Sequence, residues 1–212
     1  MISNRINYQR LLDAKINEIT EKGIVPTLLL HSCCAPCSSY VLEYLSEYFS
    51  ITVHYYNPNI TDKAEYEKRV KEQQRLIKEL PAKNPISFTE GEYCPDKFFA
   101  MAKGLEAVPE GGERCFRCYR LRLSEAADYA KENGFDFFTT TLSISPMKNA
   151  AKLNEIGGEE AKRVGIPYLF SDFKKREGYK RSIALSAEYG LYRQSYCGCI
   201  YSLQQAKKEN RI

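Results

Sequence analysis

Eight cysteines occupy positions 33, 34, 37, 94, 115, 118, 197 and 199. Three crowd into "HSCCAPCSS" (31–39), two form the Cys-x-x-Cys of "CFRC" (115–118), and two the Cys-x-Cys of "YCGC" (196–199). Thiolates are nucleophiles, redox couples and soft metal ligands. The adjacent Cys33–Cys34 pair and the Cys115/Cys118 pair are two half-sites. Brought together they make one four-thiolate site, which suits zinc or a [4Fe–4S] cluster equally. CFRC also stands at a predicted helix start, where free N–H groups and the dipole favour thiolates. In YCGC, Gly198 gives the backbone freedom that a very small disulfide ring needs, and a strained ring is oxidising and labile. The other reading of Cys197 and Cys199 is two further metal ligands. Cys94 has no partner nearby in sequence and reads as a structural thiol, or at most as a neighbour behind the ligands. One structural zinc closes with four ligands, so zinc alone leaves half of the thiols unused.

The compartment weighs against a disulfide scaffold. The N-terminal segment "MISNRINYQRLLDAKINEITEKG" is polar and amphipathic and lacks the apolar stretch of a secretory signal. No run approaches the roughly 18 apolar residues of a membrane span. We therefore expect a cytoplasmic protein, where reduced thiols point to metal or redox chemistry. With 212 residues the chain can build one sizeable core without covalent staples. A net charge of +4 is mild. Basic residues gather in "FKKREGYKR" (173–181) and "KKENRI" (207–212), and 16 tyrosines are present, so nucleic-acid contact is open.

Strands and helices must position these thiols. Apolar periodicity and cap residues predict helices over 5–22, 38–49 (Ser38 or Ser39 as cap), 62–80 (Thr61 or Asp62 as cap), 95–107, 116–133 and 149–164. Strands are predicted over 25–31, 51–59, 85–88, 135–142 and 167–170. Alternation of this kind implies a parallel sheet with helices on both faces. Ligands of such folds sit beyond the carboxyl ends of the strands. The unusual segments HSCCAPCSS, "NPNIT" (57–61), "GEYCP" (91–95) and "SISPMKN" (143–149) all follow strands. No linker, repeat or low-complexity tract interrupts the chain.

Five stretches, "LLLHSCCAPCSSYVLEYL", "ERCFRCYRLRL", "FTTTLSISPMKN", "DFKKREGYKRS" and "YRQSYCGCIYS", resemble the epoxyqueuosine reductase QueH family over about residues 26–203. The resemblance implies a HUP/PP-loop-like, three-layer α/β/α fold: one domain over residues 1–212, with an N-terminal helix in 1–24 and helical additions. The loop after the first strand, a phosphate loop in related folds, carries cysteines here. It implies reduction of epoxyqueuosine to queuosine at the wobble position of a tRNA, the last step of queuosine biosynthesis. It assigns a [4Fe–4S] cluster to Cys33, Cys34, Cys115 and Cys118, and a redox-active disulfide to Cys197 and Cys199. It places Cys37 beside a second iron or another divalent metal, at a position that is aspartate in some members.

That reaction needs two electrons and two protons, so an external electron donor is expected. Lys148 and Asn149 would meet a phosphate or ribose, and Lys174, Lys175 and Lys180 the anticodon stem-loop backbone. His31 and His54 read as packed histidines. Asp96, Asp172 and Tyr196 are candidate proton donors. The competing functions are a zinc-stabilised nucleic-acid-binding module and a thiol-disulfide oxidoreductase using Cys115 and Cys118.

Overall fold

The structure, a computed structural model, describes residues 6–210. Four parallel strands, β1 (Thr27–His31), β2 (Ser50–Tyr55), β3 (Ile86–Glu90) and β4 (Phe137–Thr140), lie in the order β3-β2-β1-β4. The helices are α1 (Tyr8–Glu21), α2 (Ala35–Leu45), α3 (Lys63–Glu79), α4 (Pro95–Ala102), α5 (Glu113–Glu132), α6 (Ala150–Val164), α7 (Gly178–Glu188) and α8 (Ile200–Lys208). A 3-10 turn covers Thr141–Ile144. The sheet with helices on both faces is the three-layer α/β/α fold expected from the alternation.

β1 explains the layering. Its continuous apolar run suits a parallel strand covered on both faces. Leu28 and Leu30 join a core with α1, α2 and α3, whereas Leu29 joins a second core with α5 and α6. All three leucines are fully buried, each contributing roughly 1.5–3 kcal/mol. At the start of β1 a reciprocal clamp fixes the strand against β4: Thr27 donates N–H and Oγ1 to Asp136 Oδ2, both at 2.8 Å, and Asp136 N–H returns to Thr27 Oγ1 at 3.0 Å.

The strand order reverses between β1 and β4. A crevice opens at that switch point, beyond the strand ends. His31 and Thr140 end the two strands in register, and His31 Nδ1 meets Thr140 Oγ1 at 2.8 Å.

Several sequence expectations need correction. The helix expected over 38–49 runs over 35–45, because Pro36 fits the first turn and the extended Cys34 caps it. Ser38 and Ser39 are therefore inside α2 and bond back to Cys34 O and Pro36 O, each at 3.0 Å. Residues 167–170 do not form a full strand; Tyr168 makes a single parallel bridge to Phe138. The 95–107 helix stops at Ala102, before Gly104 at φ +80°. The 135–142 strand ends at Thr140, where the 3-10 turn begins. Residue 5 of the expected first helix, with the rest of 1–5, and residues 211–212 of the basic tail lie outside the described residues. The helices α7 and α8 fall within the helical additions expected of the fold but outside the helices that apolar periodicity locates, since their apolar positions are few.

Close packing behind β4 has one sensitive point. A Cβ added at Gly157 of α6 would lie 2.4 Å from the Tyr168 ring. Tyr168 is buried against Phe138, so it has little room to retreat. Gly157→Ala is expected to cost about 1–3 kcal/mol, read as a lower urea midpoint with an unchanged slope.

Candidate functional site: a sulfur-lined crevice at the switch point

Ser32 fixes the loop after β1. Its N–H donates to His54 O (3.0 Å), and its carbonyl accepts from Asn57 Nδ2 (2.8 Å). Its hydroxyl donates to Gln73 Oε1 at 2.8 Å and lies 2.6 Å from Ser38 Oγ. Tyr55 OH adds a bond to Cys33 O at 3.3 Å. Residues of β2, the following loop, α3 and α2 thus hold one loop in one shape.

The result is a thiol group. Cys33, Cys34 and Cys37 have sulfurs within 4.8 Å of one another. Cys33 Sγ stands 3.7 Å from Cys34 Sγ. The N-terminus of α2 lies directly beneath. The trio shares charge unequally: thiol donors Cys34 and Cys37 hold Cys33 well below an ordinary thiol pKa, with the Arg122 guanidinium helping against burial. Cys34 is pushed up to about 12 and Cys37 also rises, both chiefly because each bonds to Cys33.

The second thiol group comes from α5. Cys115, Cys118 and Arg122 fall at i, i+3 and i+7, on one helix face. Gly111 N–H reaches Cys115 Sγ at 3.2 Å. Burial raises the Cys115 pKa, and pushes Cys118 up to about 11. Opposite them are Cys197 and Cys199, free thiols with sulfurs 3.5 Å apart. Gly198 between them has φ +109°, and a Cβ there would meet Ile60 Cγ1 at 2.9 Å. Cys199 caps α8, its sulfur accepting from Ser202 N–H at 3.3 Å. Arg69 Nη1 donates to Cys197 O at 3.2 Å. The Cys197 pKa is held low by the Cys199 thiol and then by Lys148.

Lys148 is nearly buried and pairs with Glu110 at 3.3 Å. Burial opposes its charge, but electrostatic interactions with Cys197, Tyr119 and Glu110 outweigh that and hold its pKa up. Arg122 is 3% exposed and donates to Asn57 Oδ1 (2.5 Å) and towards His31 Nε2 (3.3 Å). Burial, then Arg122, keep the His31 pKa well below its ordinary value.

Two cavities join these groups. One of about 150 Å³ is lined by Cys33, Cys34, Cys37, Arg69, Tyr196 and Cys197 among others. One of about 20 Å³ lies among Cys115, Cys118, Cys197, Cys199, Tyr119 and Asn59. Arg122, Lys148 and Cys197 line both. Met147 and Lys148, which line the larger cavity, also line a trough of about 780 Å³.

Comparison with known proteins gives this arrangement a context. Residues 28–205 match the family described as epoxyqueuosine reductase QueH. The chain is 42% identical to the epoxyqueuosine reductase QueH of Streptococcus pyogenes serotype M1, over 98% of this chain and 85% of that protein. It is 43% identical to the protein of the same name from Staphylococcus epidermidis, over 95% of this chain and 87% of the relative. A Thermotoga maritima protein of that name is 33% identical over 87% and 94%.

The chain belongs to the epoxyqueuosine reductase QueH family.

It is thereby an oxidoreductase, and the span read from the five sequence stretches agrees with the matched one. Membership decides for an enzyme over a zinc-stabilised binding module. Among the described residues no helix is long and apolar enough to cross a membrane.

The structure distributes the predicted residues of this QueH-family chain as follows. It gathers Cys33, Cys34 and Cys37 most tightly, and sets Cys115, Cys118, Cys197 and Cys199 around the adjoining cavity. Cys94 caps α4 and lines neither cavity. Lys148, Asn149, Lys174 and Lys175 line the trough, with Asp172. Lys180 stands apart, exposed and 3.3 Å from Glu177. Lys174 donates to Ser143 O at 2.8 Å, and Asn149 caps α6 by accepting from Lys152 N–H at 3.0 Å. Tyr196 reaches the thiol cavity; Asp96 lines neither it nor the trough. His31 and His54 are packed histidines, His54 bonding Glu125 at 2.6 Å and stacking on Tyr129. Sequence reasoning missed Arg69, Glu110, Asn57 and Arg122. Arg122 was accessible through its spacing from Cys115 and Cys118.

The donor set fits an iron–sulfur group. Soft thiols come from three segments, and two deeply buried polar atoms beside them, Tyr119 OH and Asn59 Oδ1, lack hydrogen-bond partners among the described residues. Gly198→Ala is expected to strain the left-handed turn and press on Ile60, costing about 1–3 kcal/mol in urea unfolding. It should also slow oxidation of Cys197 and Cys199 by diamide, measured by mass after alkylation.

Proposed function

We propose that this chain reduces epoxyqueuosine in tRNA to queuosine. The observation that carries the reading is the family match over residues 28–205, laid onto two adjoining cavities that seven cysteines line between them. The reaction takes up two electrons and two protons, removes the epoxide oxygen as water and leaves an alkene. In our reading Cys33, Cys34, Cys115 and Cys118 hold a [4Fe–4S] cluster. Cys37, which also faces a neighbouring cavity of about 170 Å³, serves a second iron or other divalent metal. The bound groups supply single electrons and Lewis acidity for the departing oxygen.

The chain's own residues do the rest. A cavity of about 150 Å³ is the size that admits one small ring. It would take the epoxide-bearing five-membered ring and leave the base in the trough. A wobble base must leave the anticodon stack to reach such a pocket. Lys174 and Lys175 would meet the strand's phosphates at the trough, with Lys180 further out along the backbone. Lys148, Asn149 and Met147 stand at the neck. Cys197 and Cys199 as a dithiol hold two electrons, one turnover's worth: forming their disulfide releases two electrons and two protons. An external donor re-reduces it. One domain carries the whole site, and a cytoplasmic location follows from the tRNA substrate.

The discriminating experiment incubates anaerobically reconstituted protein with epoxyqueuosine-containing tRNA and a reductant, then identifies nucleosides by mass. Queuosine formation is expected; unchanged epoxyqueuosine with a colourless, zinc-only protein contradicts the reading. Cys199→Ser should retain at most a single turnover; full multiple turnover would remove the dithiol from the path. Lys174→Ala with Lys175→Ala should raise KM for tRNA about tenfold or more at physiological salt and flatten its salt dependence by about two phosphate contacts, with kcat little changed.

A further inference from the structure

Arg122 is buried in an unusual way. Of the other buried cations near the site, two have carboxylate partners: Glu65 for Arg69 and Glu110 for Lys148. Arg114, equally buried, donates to the carbonyls of Leu105, Glu106 and Val108 and packs on the Tyr201 ring. Among the described residues, Arg122 bonds only to the Asn57 amide oxygen and the ring nitrogen of His31. Neither partner is a carboxylate. Among the described residues no carboxylate lies within ion-pair distance of it. A guanidinium keeps its charge inside a protein, and a buried charge without a counter-charge is costly. The groups left to balance it are sulfurs: Arg122 lines the cavity of Cys33, Cys34 and Cys37 and also that of Cys115 and Cys118.

We propose that Arg122 is the counter-ion of the sulfur site, a positioning residue that touches no substrate and makes the bound iron–sulfur group easier to reduce. The inference rests on the functional reading above. Each electron added to a thiolate-ligated cluster adds one negative charge. A fixed cation in a poorly solvated wall stabilises that added charge more than water would. The bonds to Asn57 and His31 hold the guanidinium there without neutralising it.

The test is a redox titration of the anaerobically reconstituted protein, followed by electron paramagnetic resonance. Arg122→Gln should be at least tenfold harder to reduce, about 59 mV lower for a one-electron couple. Arg122→Lys keeps the charge and should stay within about threefold of the parent. Asn57→Asp gives Arg122 a carboxylate while giving up the bond to the Ser32 carbonyl, so it too should be harder to reduce. A merely structural role would lower iron content in all three variants and leave the potential of the remaining clusters unmoved. An unshifted potential in Arg122→Gln, or a Lys variant that falls as far as Gln, overturns the inference. Where Arg122→Gln fails to hold iron, an unshifted Asn57→Asp does so. A parent protein that takes up no iron–sulfur group overturns the functional reading itself, and the inference with it.

Discussion

The sulfur site hangs from Ser32. A loop of cysteines after a strand has no reason of its own to keep two adjacent thiols on one side, because neighbouring residues tend to diverge. Here every polar group of Ser32 is engaged, by the His54 carbonyl, Asn57, Gln73 and Ser38. A hydrogen bond of this kind contributes about 1 kcal/mol net, yet leaving any of these buried partners unmet costs more. The loop is therefore fixed before any metal arrives. Asn57 belongs to both parts of the arrangement: its amide N–H₂ holds the loop and its oxygen holds Arg122. The shape of the loop and the charge beside it are set by one side chain.

Charge is the second organising constraint. Arg69, Arg122 and Lys148 all line the larger thiol cavity, against one carboxylate, Glu110. Such a wall suits an occupant that is itself negative. Several of the surrounding thiols are pushed upward by burial and by one another, as Cys118 and Cys34 show. A metal that displaces their protons relieves both problems at once, which couples loading to stability. The trough beyond, with Lys174 and Lys175, continues the positive character outward to where a polyanionic strand would lie.

Much of this was legible in the sequence, for identifiable reasons. The parallel sheet followed from the alternation of apolar strands with periodic helices, and the crevice from the rule that places ligands beyond strand ends. The thiol pairs were visible as spacing. Less legible were features that depend on what packs on what. Pro36 started α2 three residues early, which turned Ser38 from a cap into a buried partner of Gln73. Gln73 and Arg69 are polar residues of a helix rich in charge. They sit on the Tyr66/Val70 face and are buried. Tyr168 lay in an apolar run that read as a fifth strand but makes one bridge, because Gly157 lets its ring sink against α6. Asn149, read as a ribose contact from its place after a strand, spends its side-chain oxygen on the α6 cap.

The central claim is that the loop after β1 and the start of α5 contribute to one sulfur-ligated group. Mössbauer spectroscopy of protein reconstituted with isotopically enriched iron tests it most directly, comparing the parent with Cys34→Ser and Cys118→Ser. The account predicts one four-iron cluster signal in the parent, beside any signal from a metal at Cys37, with the cluster signal lost in both variants alike. A cluster signal that survives intact in Cys118→Ser, and disappears only when Cys34 is changed, would contradict it.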